Sequence, residues 1–158
     1  MNKPHRDTIF LEQAEIIEHL AYEGDQHVMR VQAPEIAAAA RAGSFAHITC
    51  DPMLPMRRPI SIMRVDKEQG WVDFLYKAIG HGTGLLATRQ VGETLSVMGP
   101  IGTPFKIDLS RPRALLIGGG VGMPPMIFLA ETLKNLLGSK PFAILGSEVP
   151  FPFTSRPS

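Results

Sequence analysis

Residues Leu115–Pro125 read LLIGGGVGMPP. An apolar run leads into four glycines, Gly118, Gly119, Gly120 and Gly122, and two prolines follow. Buried strand, glycine turn and proline-opened helix form the first part of a βαβ unit. Lacking Cβ atoms, these glycines let a diphosphate approach the backbone, and a helix opening at Pro124 or Pro125 offers N–H groups and a dipole that favour negative charge. A plain tight strand-to-helix turn could use the same residues. No Gly-Lys-Ser/Thr follows, so the turn is not a P-loop.

Downstream, PPMIFLAETLKNLLG reads as an amphipathic helix and KPFAILGS as a second strand, completing one βαβ unit with RALLIGGG as its first, buried strand. One such unit leaves strand edges and an apolar sheet face uncovered. The tail EVPFPFTSRPS holds three prolines and suggests no regular element. Its Phe151 and Phe153, or a partner chain, could cover that face. Glu148, just past the second strand, suits either a bond to ribose hydroxyls or a solvated surface position.

Upstream the pattern changes to short runs rich in β-branched and aromatic residues: QHVMRVQAP, SFAHITC, RPISIMRV, WVDFLYKAI and TLSVMGP. Such a series predicts an antiparallel barrel or sandwich. EGDQ, Glu23–Gln26, is a hairpin turn. TIFLEQAEIIEHLAYEG fits helix or strand, and its second half is read as the first strand. Two helices are expected, one over Ala33–Gly43 and one over Gly82–Gly92 with Thr83 as its N-cap. The change of character falls in Ile107–Pro112, giving an expected division into residues 1–110 and 111–158.

The 158 residues carry a net charge of +1 and 44% apolar residues. This composition suits a globular core and lacks the basic footprint of a nucleic-acid binder. No signal peptide is read in MNKPHRDT, and no window reaches the ~18 apolar residues of a membrane helix. A cytoplasmic protein is expected. Cys50 is the sole cysteine, which leaves no internal disulfide, Cys-based zinc site or iron–sulfur cluster within the chain. His47, three residues from Cys50 on one strand, would face the opposite side, so Cys50 is read as structural. The five histidines lack metal-ligand spacing and are expected at the surface or barrel rim.

Two further stretches suit a phosphorylated cofactor. In RRPISI, Arg57–Ile62, an arginine can fork onto phosphate oxygens and Ser61 can bond a ring nitrogen. In YKAIGHGTGLL, Tyr76–Leu86, Gly80 and Gly82 permit close approach and Thr83 can hold a phosphate oxygen. Taken singly, an edge strand and an ordinary strand-to-helix connection explain both.

In order, GSF, RRPIS, YKAIGHGT, GETLSVMGPIGTPF and GGGVGMPP resemble the ferredoxin–NADP reductase-like superfamily, and within it the electron-transfer subunit of type B dihydroorotate dehydrogenase. The resemblance spans about Ala14 to Ser147. It implies a mainly β plus α/β fold: an antiparallel Greek-key FAD-binding barrel followed by a partial NAD-binding, Rossmann-like α/β domain. By motif position it implies that Arg58, Pro59, Ile60 and Ser61 line the flavin and its diphosphate, that Leu75, Tyr76 and Lys77 border it, and that Gly82 and Thr83 bind its diphosphate. Gly118, Gly119, Gly120 and Gly122 would hold the NAD diphosphate.

The activity implied is that of an FAD- and NAD-dependent oxidoreductase passing electrons between NAD(H) and a partner in pyrimidine biosynthesis. That partner would be a catalytic dehydrogenase subunit or another redox protein, and a homodimer stays open. Flavin and nicotinamide carry such chemistry, so no acid–base residue is required. Two departures stand out. The cysteine cluster that holds a [2Fe–2S] centre in the family has no counterpart, and the α/β part stops after its second strand, so the chain reads as truncated. A stand-alone ferredoxin or flavodoxin reductase and a non-catalytic binding module remain as alternatives.

Overall fold

A computed structural model describes residues 8–111, 113–138 and 141–149. Six strands close into an antiparallel barrel: β1 (Phe10–Tyr22), β2 (Gln26–Gln32), β3 (Phe45–Ile48), β4 (Arg58–Asp66), β5 (Trp71–Lys77) and β6 (Thr94–Ile101). Around the wall they run β1-β2-β5-β4-β3-β6. The β2–β3 and β5–β6 connections cross between strands that are not neighbours, and each carries a short helix, α1 (Pro34–Ala39) and α2 (His81–Ala87). The expected mainly β plus α/β architecture is therefore present, with a closed barrel rather than a sandwich.

Alternation makes the barrel. On β5, Val72, Phe74 and Tyr76 point inward among Ile16, Met29, Ile48 and Val97, while Asp73, Leu75 and Lys77 point outward. Strand β1, Phe10–Tyr22, takes up most of the ambiguous N-terminal segment and not only its second half. A register break between Ile16 and Glu18 switches its inward set from Ala14 and Ile16 to His19, which pairs with Met29. The extra residue destroys strict alternation, which is why the segment mimics a helical pattern.

Helix α1 is shorter than Ala33–Gly43. Its first N–H groups, on Glu35 and Ile36, donate to the carboxylate of Glu12 on β1 (3.2 and 2.8 Å). Past Ala39 the chain turns extended so that Ala40 and Ala42 enter the core, and Gly43 takes a φ of +97° with Phe105 packed against it. Tertiary burial overrides the helix propensity of the alanines.

After the barrel, β7 (Leu115–Gly119), a 3₁₀ turn (Gly120–Gly122), α3 (Met123–Leu137) and β8 (Phe142–Gly146) form one βαβ unit with β7 and β8 parallel. Pro124 and Pro125 lie in the first turn of α3, and Gly138 ends it at φ +62°. Helix α3 joins the two parts. Met123 and Ile127 pack on Val28, Met63 and Leu75 of the barrel's outer surface, Phe128, Leu129 and Leu133 extend the main core, and Glu131 pairs with Arg64 of β4 at 2.7 Å. Strand β7 is buried on one side only. Leu116 faces inward, whereas Leu115 and Ile117, with Phe142 and Ile144 of β8, form a bare apolar face. Phe151, Phe153 and Pro112 lie outside the described residues.

Candidate functional site

Because β4 and β5 are antiparallel, the start of β4 and the end of β5 lie at the same end of the barrel, and α2 opens directly beyond β5. RRPIS, LYK and GHGT are thereby gathered in one region. The two arginines have different surroundings. Arg57 ties the wall together, donating from Nη1 to the carbonyls of Ser96 (2.9 Å) and His47 (3.3 Å) and from Nη2 to Ser96 Oγ (2.9 Å). Arg58 lies across Gly82 so closely that a Cβ there would come within 2.6 Å of Nε. Its Nη1 donates to the carbonyls of Met56 and Arg57, and no carboxylate among the described residues pairs with it. A guanidinium without a counter-anion, over a glycine at a helix start, suits phosphate oxygens.

Next along β4, Pro59 is exposed, Ile60 is buried in the core and Ser61 is half-buried. The side chain of Ile60 therefore faces the barrel interior, leaving its backbone as the part open to a ligand. Ile62 pairs with Phe74, so Ser61 neighbours Leu75 on the outer face. Thr83 is not the N-cap. Gly80 takes that position, and Thr83 sits three residues on, with Oγ1 accepting from the Gly80 N–H (3.1 Å) and lying 3.2 Å from its carbonyl.

A cleft of about 410 Å³ separates the barrel from the βαβ unit. One wall is Gln26, Leu75, Tyr76 and Lys77; the other is Gly119, Gly120, Val121 and Pro124, with Gly146, Ser147 and Glu148 at the end of β8. The glycines differ in what they require. A Cβ at Gly118 would meet the Gly122 carbonyl at 2.8 Å and Met126 at 2.9 Å, so this residue lets the turn pack against α3. Gly120 has φ +52° and open space around it, while Gly122 also has open space but does not line the cleft. Arg58, Pro59, Ile60, Ser61, Gly82 and Thr83 lie outside the cleft lining, so the expected residues form two groups, one at the barrel end and one in the cleft.

Sequence reasoning did not single out Gln26, Ser147 or a histidine cluster inside the barrel. Gln26 read as part of a turn; it is 2% exposed, and its side-chain amide donates to the Glu23 carbonyl. The Tyr76 hydroxyl meets His19 Nε2 at 2.9 Å, and His19 Nδ1 lies 2.8 Å from the Arg89 carbonyl. A carbonyl only accepts, so His19 carries its proton on Nδ1 and Nε2 accepts from Tyr76. His27 stacks on Tyr76 with ring centroids 5.3 Å apart, and its Nδ1 is buried without a partner. Burial, then the neighbouring His19, lowers the His27 pKa, while burial raises that of Tyr76. Tyr76 thus uses its hydroxyl within the barrel rather than in the cleft. Cys50 is fully buried, and burial pushes its thiol pKa up. Among the described residues no cluster of side chains could hold a metal ion, and no helix is long and apolar enough to cross a membrane.

No protein-family model matches the chain. Among curated proteins it is 36% identical over 114 residues to the electron transfer subunit of dihydroorotate dehydrogenase B (NAD(+)) from Desulforamulus reducens, covering 70% of this chain and 43% of that protein. To the subunit from Bacillus caldolyticus it is 41% identical over 110 residues, covering 66% of this chain and 42% of that protein. The chain thus spans about two-fifths of the length of these relatives. Among solved structures, an NADH-dependent reduced ferredoxin-NADP oxidoreductase superposes with a TM-score of 0.79 at 27% identity, covering 88% of this chain and 50% of that one. The ferredoxin reductase of carbazole 1,9a-dioxygenase gives 0.76 at 26%, covering 90% and 45%. Barrel topology, cleft and these likenesses agree: the chain shares the fold of ferredoxin–NADP reductase-like proteins, and over most of its length it is similar to the electron transfer subunit of dihydroorotate dehydrogenase B.

Proposed function

We propose that the chain is the flavin-bearing part of an electron-transfer protein, passing electrons between NAD(H) and a partner through FAD. The observation that carries this reading is the cleft, in which Leu75–Lys77 of the barrel face the Gly119–Gly120 turn at the start of α3. In this reading residues 1–110 form the flavin-binding unit and residues 111–158 belong to the nicotinamide-binding unit.

The Arg58 guanidinium and the backbone N–H groups of Gly82 and Thr83 hold the FAD diphosphate. Pro59, the Ile60 backbone and Ser61 border the ring system, with the Ser61 hydroxyl available to a ring nitrogen. Leu75 supplies an apolar wall and Lys77 a cation, and Tyr76 contributes main chain. Gly119 and Gly120 leave room for the NAD diphosphate at the N-terminus of α3, where the helix dipole favours anions. Gly118 keeps the turn against the helix. When bound, FAD supplies the redox chemistry, exchanging a hydride with nicotinamide and electrons with the partner. The protein's own contribution is to orient both and to shield them from water. A catalytic dehydrogenase subunit is the partner that the relatives' name suggests.

Titrating purified protein with FAD and following flavin absorbance during NADH addition tests the reading. Bound FAD that bleaches with NADH is the expected result. Arg58→Ala is expected to weaken FAD binding by about 1.5–3 kcal/mol, the scale of a hydrogen bond to a charged group. Unchanged affinity would place the flavin elsewhere.

A further inference from the structure

Lys77 and Glu148 come from different parts of the fold and meet across the cleft, Nζ to Oε2 at 3.8 Å. Lys77 is fixed near the end of β5, and its side chain is 29% exposed. Glu148 follows β8, and its side chain is 92% exposed. Among the described residues it is the one carboxylate paired with Lys77. The segment carrying Glu148 rests on the β1–β2 turn: Gly24 has φ +71°, and a Cβ there would lie 2.7 Å from Val149. The backbone thus holds Glu148 at the cleft while its side chain stays in solvent, able to turn away at little cost.

The rest of the cleft attracts anions. Gly119 and Gly120 leave space at the N-terminus of the 15-residue α3, opposite the Lys77 ammonium. Glu148 is the one acidic residue lining it. A diphosphate and the Glu148 carboxylate therefore compete for the same cation.

Resting on the dinucleotide reading above, we propose that Glu148 is an internal counter-anion of Lys77 that sets the affinity of the cleft for a dinucleotide diphosphate, which displaces it on binding. Lys77 is then the barrel's electrostatic contribution to the nucleotide, and Glu148 weakens binding because its pairing with Lys77 must first be broken. This role differs from a bond to ribose, in which Glu148 would strengthen binding.

The test is a double-mutant cycle on the purified chain, with NADH followed by its fluorescence and ADP-ribose by calorimetry. Glu148→Gln is expected to bind both probes about three- to five-fold tighter, in keeping with the modest strength of an exposed ion pair. Lys77→Met is expected to bind both at least about five-fold more weakly. In the Lys77→Met background, Glu148→Gln should change affinity by less than about two-fold, because its competitor is gone. Equal or weaker binding by Glu148→Gln overturns the proposal, as does a gain that persists undiminished without Lys77. In either case, binding of the probes by the unsubstituted protein leaves the dinucleotide reading standing. If the unsubstituted protein and Glu148→Gln both bind neither probe, the dinucleotide reading falls and the proposal with it. Circular dichroism of each variant separates a binding change from a folding defect.

Discussion

The barrel and the βαβ unit solve the same packing problem to different extents. In the barrel every strand has two neighbours, so no edge is left and one face of each strand is sealed in the core. In the βαβ unit two strands pair, among the described residues, only with each other, α3 covers one face, and Leu115, Ile117, Phe142 and Ile144 are 58–75% exposed on the other. What holds the smaller part in place is its helix, which docks on the outside of the barrel through Met123, Ile127 and Glu131. The candidate site lies at that junction, one wall of its cleft built by the closed structure and the other by the open one. Rigidity of the site is therefore borrowed from the barrel.

Substitutions on the two sides sharpen the contrast. Phe74 is completely buried in the barrel, and Phe74→Ala is expected to lower unfolding free energy by about 3–5 kcal/mol. On the bare sheet face, Ile144→Lys should change it by less than about 0.5 kcal/mol, since that side chain already meets solvent. Urea unfolding of both proteins measures the difference; a large loss for Ile144→Lys would mean that the face is covered in solution.

A smaller effect is expected in the glycine turn. Gly118→Ala forces a Cβ against the Gly122 carbonyl and Met126 and should cost about 1–3 kcal/mol. Gly122→Ala meets nothing within 4 Å and should be neutral within about 0.5 kcal/mol. Thermal melts of this pair distinguish a turn shaped by packing from one kept open throughout.

The smallest effect is a pH dependence confined to the barrel. His27 has its pKa lowered below 6.5 by burial and by His19. The unfolded chain then binds a proton that the folded one resists, so stability falls as pH drops through 6.5 toward the lowered folded value and is retained above it. Melting temperatures at about pH 7.5 and 5.5 should show this acid loss. His27→Phe should flatten it, and an unchanged slope would remove His27 as its source.

Most of the barrel was legible because β2 to β6 are short runs rich in β-branched and aromatic residues bounded by turns, a signal that survives the register shifts of β3 against β6 and of β4 against β5. Strand β1 was half-legible, because the irregularity between Ile16 and Glu18 shifts its inward set and depends on pairing with β2. Helix α1 was misjudged in length, since the burial of Ala40 and Ala42 is a tertiary fact. At the site, the glycine turn and the two arginines could be read as chemistry, but their division of labour could not. Only the fold shows that Arg57 clamps Ser96 and His47 while Arg58 covers Gly82. The same holds for Lys77 and Glu148, 71 positions apart in sequence and joined only by the docking of the two parts.

Cys50 gives the barrel a reporter of its own. Its thiol is sealed in the core beside the Ile48 carbonyl (3.8 Å), and burial disfavours the thiolate that any alkylating reagent needs. With a single cysteine in the chain, covalent labelling has one address, and that address opens when the connection between β3 and β4 leaves the core. The rate at which a maleimide couples to the native protein is therefore a clock for opening at the β3–β4 end of the barrel core, remote from the exposed side of β7 and β8.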